Sequence, residues 1–159
     1  HQQGVIHCDL KPANFMVEQL PVRGEFVYIL DFGISQFLQN NQRGQDYYTG
    51  TPEFSAPEQI APEGKVDPRT DIYGLGGVLY QMVTGEVPFK GEDVSTVLQA
   101  HLHQPPPSIM EQVSAGRGYE LLDQIIQSMM AKDPSDRLQS MSEFIDCADT
   151  IRPVIEREQ

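Results

Sequence analysis

Residues 7–14 read HCDLKPAN, and they place an acid, an amine and an amide within six positions: Asp9, Lys11 and Asn14. A carboxylate can accept a proton from a hydroxyl nucleophile. An ammonium can neutralise charge on a transferred phosphoryl group, and an amide oxygen is a hard ligand for Mg2+. Pro12 stiffens the turn that holds them. A second carboxylate, Asp31, follows seventeen residues after Asn14 and opens the tripeptide DFG at the end of a strand-like run. One strand pair lies between, so a hairpin return brings Asp31 beside Asn14. Two oxygen ligands from adjacent strand ends make a Mg2+ site that phosphates and water complete. Taken singly, each is an ordinary polar turn residue; together, at hairpin spacing, they point to chemistry on a phosphate.

The elements that must position these groups are legible on both sides. Residues 1–7 read as the end of a helix, a stop at Gly4 and a short β segment over 5–7. Residues 15–18 (FMVE) and 25–32 (EFVYILDF) are strand-like, with a turn at LPVRG. The polar stretch ISQFLQNNQRGQDYYTGTPEF then lacks steady periodicity and reads as a functional or mobile loop. From Pro57 onward the pattern is helical. PEQIA forms a short turn. DPRTDIYGLGGVLYQMVTG has Asp67 or Thr70 as N-cap and Gly85 just past its end. Residues 72–83 carry no charge and are apolar on every face, which predicts a buried central helix, with Gly74, Gly76 and Gly77 allowing close packing. DVSTVLQAHLH is modestly amphipathic and ends at Pro105, Pro106 and Pro107. GYELLDQIIQSMMAKDP sets Leu121, Leu122, Ile125, Ile126, Met129 and Met130 at helical spacing before Pro134. MSEFIDCADTIRPVIERE is a last helix, bent or broken at Pro153. The apolar stripes and the six methionines read as core. The expected fold is mainly α: a helical bundle with a small β hairpin region at the HCDLKPAN loop.

Composition bounds the function. The chain has 159 residues, 39% hydrophobic and 21% charged, enough for one domain with a real core. Eleven basic residues face 23 acidic ones, for a net charge of −12. A field of that sign disfavours nucleic acid and anionic membranes as partners. No apolar run approaches the ~20 residues of a membrane span. Cys8 and Cys147 form no CxxC pattern, so a disulfide scaffold or zinc site is not expected, and a reducing, cytoplasmic setting is. With no initial methionine, no signal peptide and an opening in mid-element, the sequence reads as a fragment.

HCDLKPAN resembles the catalytic loop of eukaryotic-type (Hanks-type) protein kinases, written H-R-D-L-K-x-x-N. DFG at 31–33 resembles their magnesium motif, and APE at 56–58 the end of their activation segment. DIYGLGGVLYQMVTGEVPF is similar to the central helix and following loop, and AKDPSDR at 131–137 to the closing arginine motif. The resemblance spans essentially the whole chain and is closest in style to bacterial members. It implies the large, C-terminal lobe of a serine/threonine protein kinase over 1–159, with the activation segment at 31–58. It implies ATP and Mg2+ (or Mn2+) as cofactors, a protein substrate as partner, and roles for single residues. Asp9 is implied as catalytic base and Lys11 as the lysine at the γ-phosphate. Asn14 and Asp31 are implied as metal ligands, and Thr51 as the threonine bonded to Asp9 and Lys11. His7, Asp71 and the Glu58–Arg137 ion pair are implied as structural supports, with Asp71 holding the catalytic-loop backbone.

Two departures stand out. Cys8 occupies the place of the family's arginine, which pairs with an activation-segment phosphate. A thiol cannot do so, and this is expected to be a non-RD kinase whose activity does not depend on that contact; Cys8 and Thr49 are the regulatory candidates. In addition, no GxGxxG loop and no V-A-I-K lysine precede the catalytic loop. The N-terminal lobe is expected to be a missing partner, and these residues alone to be inactive. The alternatives are a catalytically dead kinase-like binding module and, less well matched by Lys11, GTPEF and APE, a small-molecule phosphotransferase. A membrane anchor elsewhere in a parent chain is compatible with all of this.

Overall fold

Two small antiparallel ribbons lead into a set of helices in the computed structural model, which describes residues 1–21, 24–31, the backbone of 36–37, 50–113 and 116–157. The expectations for Thr49 and for Phe32 and Gly33 of DFG lie outside the described residues, as does most of 31–49. The strands are β1 (Val5–Ile6), β2 (Phe15–Leu20), β3 (Gly24–Ile29) and β4 (Gln36–Phe37). The helices are α1 (Pro57–Ile60), α2 (Pro68–Thr84), α3 (Val94–His103), α4 (Arg117–Met129) and α5 (Met141–Ile155). The fold is mainly helical.

The β2–β3 hairpin pairs Phe15 with Ile29 and Leu20 with Gly24. One further bond, from the Leu30 amide to the Asn14 carbonyl (2.8 Å), carries the ladder to the 3-10 turn Pro12–Asn14. β4, which lies in the stretch expected to be loop, pairs antiparallel with β1, Val5 opposite Phe37. Two residues are too short a run to show periodicity in sequence.

Helix α2 is the axis of the helical part, and its start uses both residues the sequence offers as caps. Asp67 Oδ1 accepts the Arg69 amide (2.8 Å), and Thr70 Oγ1 accepts the Asp67 amide in return (3.2 Å). Pro68 takes the first helical position, where its missing N–H costs nothing. Gly85 closes the helix in the left-handed region at φ +78°, a conformation that glycine adopts without a steric penalty. Gly74 and Gly77 let the helix approach Leu10 and Phe54: a Cβ at Gly77 would lie 3.2 Å from the Phe54 ring. Tyr73, Tyr80, Phe89, Ala100, Ile109, Ile126 and Met130 form the core around it.

Two expectations are corrected. Helix α2 is not buried all round: Met82 is 72% exposed and Leu75, Leu79 and Val83 are half-buried. Its N-terminal part passes beneath the HCDLKPAN loop and against α4, whereas its last turns are covered on one side only. Of the bend or break expected at Pro153, the break does not occur: helix α5 runs on through it to Ile155. The missing N–H leaves the Asp149 carbonyl without its helical donor, and because only Val154 and Ile155 follow in the helix, little of it depends on that turn.

Candidate active site

Asp71, in the first turn of α2, organises the loop. Its Oδ2 accepts the backbone N–H of His7 (2.8 Å) and its Oδ1 that of Cys8 (2.8 Å), and the His1 Nε2–H donates to Oδ2 as well (2.8 Å). Burial pushes the Asp71 carboxyl up from the ordinary carboxylate range, and the two backbone amides pull against that shift. These bonds grip a loop with an unfavourable backbone, because Cys8 lies at φ +66°. A non-glycine residue there costs roughly 1–3 kcal/mol and persists only where its surroundings enforce it. The Cys8 side chain is 5% exposed and packs with Ile6 and Val66, so reagents have little access to its thiol.

His7, buried, joins the loop to the hairpin. Its Nε2 bonds the Leu30 carbonyl (2.9 Å), and its Nδ1 accepts the Asp9 amide (3.2 Å). Only the neutral tautomer with hydrogen on Nε2 satisfies both. Asp31 follows Leu30 directly, at φ +60°, and the hairpin register sets Leu30 opposite Asn14, one residue before Asp31.

Asp9, Lys11 and Thr51 form a closed triangle. Lys11 Nζ lies 2.7 Å from Asp9 Oδ2 and donates to Thr51 Oγ1 at 2.9 Å. Thr51 Oγ1 donates in turn to Asp9 Oδ1 (2.8 Å), and the Thr51 amide donates to the same oxygen (3.1 Å). The hydroxyl thus accepts from the ammonium and donates to the carboxylate, which fixes both. Asn14 turns its amide nitrogen to the Asp9 carbonyl (2.8 Å) and, at 3.4 Å, to Asp9 Oδ2. Its oxygen accepts no hydrogen bond among the described residues, and an amide oxygen is a hard ligand of the kind Mg2+ takes. Asn14 and Asp31 carry between them one amide oxygen and one carboxylate. That donor set suits Mg2+, which keeps most of its shell for water and phosphate. No group of three or more His, Cys, Asp or Glu side chains among the described residues forms a metal cage.

Glu58 and Arg137 meet in the interior. Arg137 NH1 and NH2 each donate to one Glu58 oxygen at 2.8 Å, with side-chain exposures of 0% and 8%. The remaining N–H groups reach the carbonyls of Ala131 (2.7 Å), Arg69 (3.0 Å) and Lys132 (3.0 Å), so all five guanidinium donors are used. Thr70 Oγ1 adds a bond to Glu58 Oε1 (2.7 Å). This knot fixes the start of α1 onto α2 and the turn after α4.

Several supporting residues escape sequence reasoning. His1 lies six positions before His7 with no local motif. Gln59, 5% exposed, accepts the Ala56 amide (3.0 Å) and donates to the Cys8 carbonyl (2.7 Å). It stands where a capping box places Glu or Gln, but Ala56 lacks the hydroxyl that would complete that signal. Half-buried Lys132 and buried Tyr73 and His101 form a hydrogen-bonded chain. Lys132 Nζ donates to the Tyr73 hydroxyl (3.3 Å), which bonds His101 Nδ1 (2.9 Å). Burial, with Arg137 adding to it, lowers the Lys132 ammonium to about 8, and burial drives the Tyr73 hydroxyl upward, so the phenol stays protonated and donates to His101. Burial first, then the Lys132 charge, lowers His101 to about 4. Its Nε2–H faces the Glu53 backbone without reaching hydrogen-bond geometry.

A cavity of about 640 Å³ opens behind the loop, lined by His1, Val5, His7, Leu10, Phe15 and Leu75 among others. Neither the Asp9–Lys11–Thr51 triangle nor Asn14 and Asp31 lines it, so it is not where the polar chemistry converges.

The protein kinase domain family matches residues 1–146. The serine/threonine-protein kinase PknJ of Mycobacterium tuberculosis is 40% identical over 152 residues, covering 93% of this chain and 25% of that protein. Pkn1 of Myxococcus xanthus is 39% identical over 149 residues, covering 91% of the chain and 21% of Pkn1. PknB of Mycobacterium tuberculosis is 36% identical over 150 residues, covering 91% and 22%. The chain therefore spans about a quarter or less of the length of these relatives. With a kinase-domain match over most of its length and bacterial kinases at this identity, the chain belongs to the serine/threonine protein kinase family.

Proposed function

We propose that this chain is the large lobe of a protein kinase that transfers the γ-phosphoryl group of ATP to serine or threonine hydroxyls of proteins. The observation that carries this most directly is the triangle of Asp9, Lys11 and Thr51, with Asn14 bonded to the same aspartate. Asp9 orients the substrate hydroxyl and accepts its proton. Thr51 holds one carboxylate oxygen, leaving Oδ2, now at Lys11, as the one that turns to substrate. Lys11 shifts from Asp9 towards the phosphoryl oxygens when they arrive, a short move for a flexible side chain that already carries the right charge. Asn14 and Asp31 would hold Mg2+, which supplies neutralisation of phosphate charge when bound. His7 and Asp71 keep the loop rigid, so little reorganisation is needed at the moment of reaction.

These residues contain no glycine-rich phosphate loop and no paired strand lysine, so groups outside them complete the ATP cleft. The exposed hairpin supports this. Met16, Val17, Phe26, Val27, Tyr28, Ile29 and Leu30 are each 37–60% exposed, on both of its faces, an apolar surface suited to a second lobe. Retention of Asp9, Lys11, Asn14 and Asp31 weighs against a dead binding module. No helix among the described residues is long and apolar enough to cross a membrane.

The test is transfer of the ATP γ-phosphate to a protein substrate, by the complete kinase and by the 159 residues alone, with Asp31→Ala as control. The complete protein is expected to be active, Asp31→Ala to abolish its activity, and the isolated chain to show negligible turnover. Clear Asp9-dependent turnover by the isolated chain would show that no second lobe is needed. Full activity of Asp31→Ala would remove the metal role.

A further inference from the structure

We propose that Gln59 is a positioning residue for Asp9, acting through the backbone carbonyl of Cys8. This rests on Asp9 being the catalytic base. The peptide linking Cys8 to Asp9 is held at both ends. Its carbonyl accepts the Gln59 Nε2–H at 2.7 Å, and its N–H, that of Asp9, donates to His7 Nδ1 at 3.2 Å. The preceding amide, that of Cys8, is held by Asp71 Oδ1 at 2.8 Å. Three buried side chains therefore set the two peptide planes that flank the left-handed Cys8. Rotation of the Cys8–Asp9 peptide swings the direction in which Asp9 projects its carboxylate. Reacting groups displaced by about 1 Å lose rate steeply, on the order of a hundredfold.

Gln59 is itself well placed to set that peptide. Its Oε1 accepts the Ala56 amide at 3.0 Å, which fixes its side chain over the start of α1. The Ser55 hydroxyl bonds the Thr51 carbonyl at 2.8 Å, which ties this segment to Thr51. One stretch, residues 51–59, thus reaches Asp9 twice: Thr51 at its carboxylate and Gln59 at the carbonyl just before it. Cys8 offers no guanidinium with which the loop could grasp that stretch, and the Gln59 amide makes the connection from the other side.

The experiment compares Gln59→Met, Gln59→Glu and Asp9→Asn in the complete kinase, measuring kcat, KM for ATP and the pH profile from 6 to 8. Gln59→Met removes both bonds at similar volume, and kcat is expected to fall about tenfold with KM for ATP within about twofold. Gln59→Glu keeps the acceptor for Ala56 but sets a carboxylate oxygen against the Cys8 carbonyl. A carboxyl buried in that position titrates above its ordinary range and, once protonated, can donate as the amide does. Its kcat relative to wild type is therefore expected to rise at least about threefold from pH 8 to pH 6. A merely structural role would let pH move the Tm of Gln59→Glu while leaving the kcat of the folded enzyme unchanged. Either variant keeping more than half of the wild-type kcat at pH 8, or a flat Gln59→Glu ratio, overturns the proposal. Should Gln59→Met not fold, the Gln59→Glu profile decides alone. Full activity of Asp9→Asn would instead overturn the role of Asp9 itself, and an inactive Asp9→Asn beside unaffected Gln59 variants would overturn only the role of Gln59.

Discussion

Arg137→Ala isolates the energetics of the buried Glu58–Arg137 knot. The substitution removes five donors at once and leaves Glu58, 8% exposed, with the Thr70 hydroxyl as its one remaining side-chain donor among the described residues. It also strands three backbone carbonyls, those of Ala131, Arg69 and Lys132. Removing one partner of a buried pair costs about 3–5 kcal/mol, because the other charge stays buried and uncompensated. At 2–4 °C per kcal/mol for a domain of this size, Tm falls by roughly 6–20 °C. The natural control is Arg152→Ala, whose pair with Asp149 is 65% and 60% exposed. A pair that exposed contributes about 0–1 kcal/mol, and its loss is expected to move Tm by no more than a few degrees. Differential scanning fluorimetry followed by urea unfolding of both variants measures the difference. A double variant, Glu58→Met with Arg137→Met, is expected to cost less than the sum of its single changes, since each single change leaves an unpaired charge and the double change leaves none. Were Arg137→Ala no more destabilising than Arg152→Ala, the buried knot would contribute no more than a surface pair, and its role as anchor of α1 would fail.

Three other expectations follow from the same geometry. Unfolded, His101 takes a proton near its ordinary 6.5, whereas folded it does so only near 4. Between those values the unfolded state binds the extra proton, so stability is lost as pH falls through that window, by about 3 kcal/mol in all. His101→Asn should flatten that slope in urea titrations at pH 7, 5.5 and 4, and an unchanged slope would clear His101 of the effect. A Cβ at Gly64 would clash with the Glu58 carbonyl oxygen, so Gly64→Ala must displace the backbone that carries Glu58. A loss of about 1–3 kcal/mol is expected by thermal unfolding, and no loss would mean that this close approach is readily relieved. Thr51→Val removes the hydroxyl shared by Asp9 and Lys11 and should cut kcat about ten- to a hundredfold, with Thr51→Ser restoring most of it. Equal activity of the two variants would show that the shared hydroxyl is dispensable.

Much of this arrangement was legible in the sequence because it is local. Asp9, Lys11 and Asn14 share one loop, the hairpin length brings Leu30 back opposite Asn14, and Asp67 and Gly85 announce the ends of α2 through cap chemistry. What escaped was set by contacts between distant segments. The left-handed Cys8 is enforced by Asp71 and Gln59, more than fifty residues away. Lys132 and His101 acquire their environment only when α2, α3 and the turn after α4 meet around Tyr73. Helix α2 misled because an apolar run cannot reveal how much of its circumference the fold will cover. Pro153 misled because the damage a proline does depends on how many turns follow it.

The central claim is that Asp9 serves phosphoryl transfer, and Asp9→Asn in the complete kinase tests it most directly. Asparagine keeps the shape and can still accept from Thr51 through its oxygen, but it cannot take the proton of a substrate hydroxyl. Steady-state transfer from ATP to a protein substrate should show kcat lowered by about 100-fold or more, with KM for ATP within about twofold and Tm close to wild type. A folded Asp9→Asn variant that retains more than about a tenth of the wild-type kcat would contradict the account.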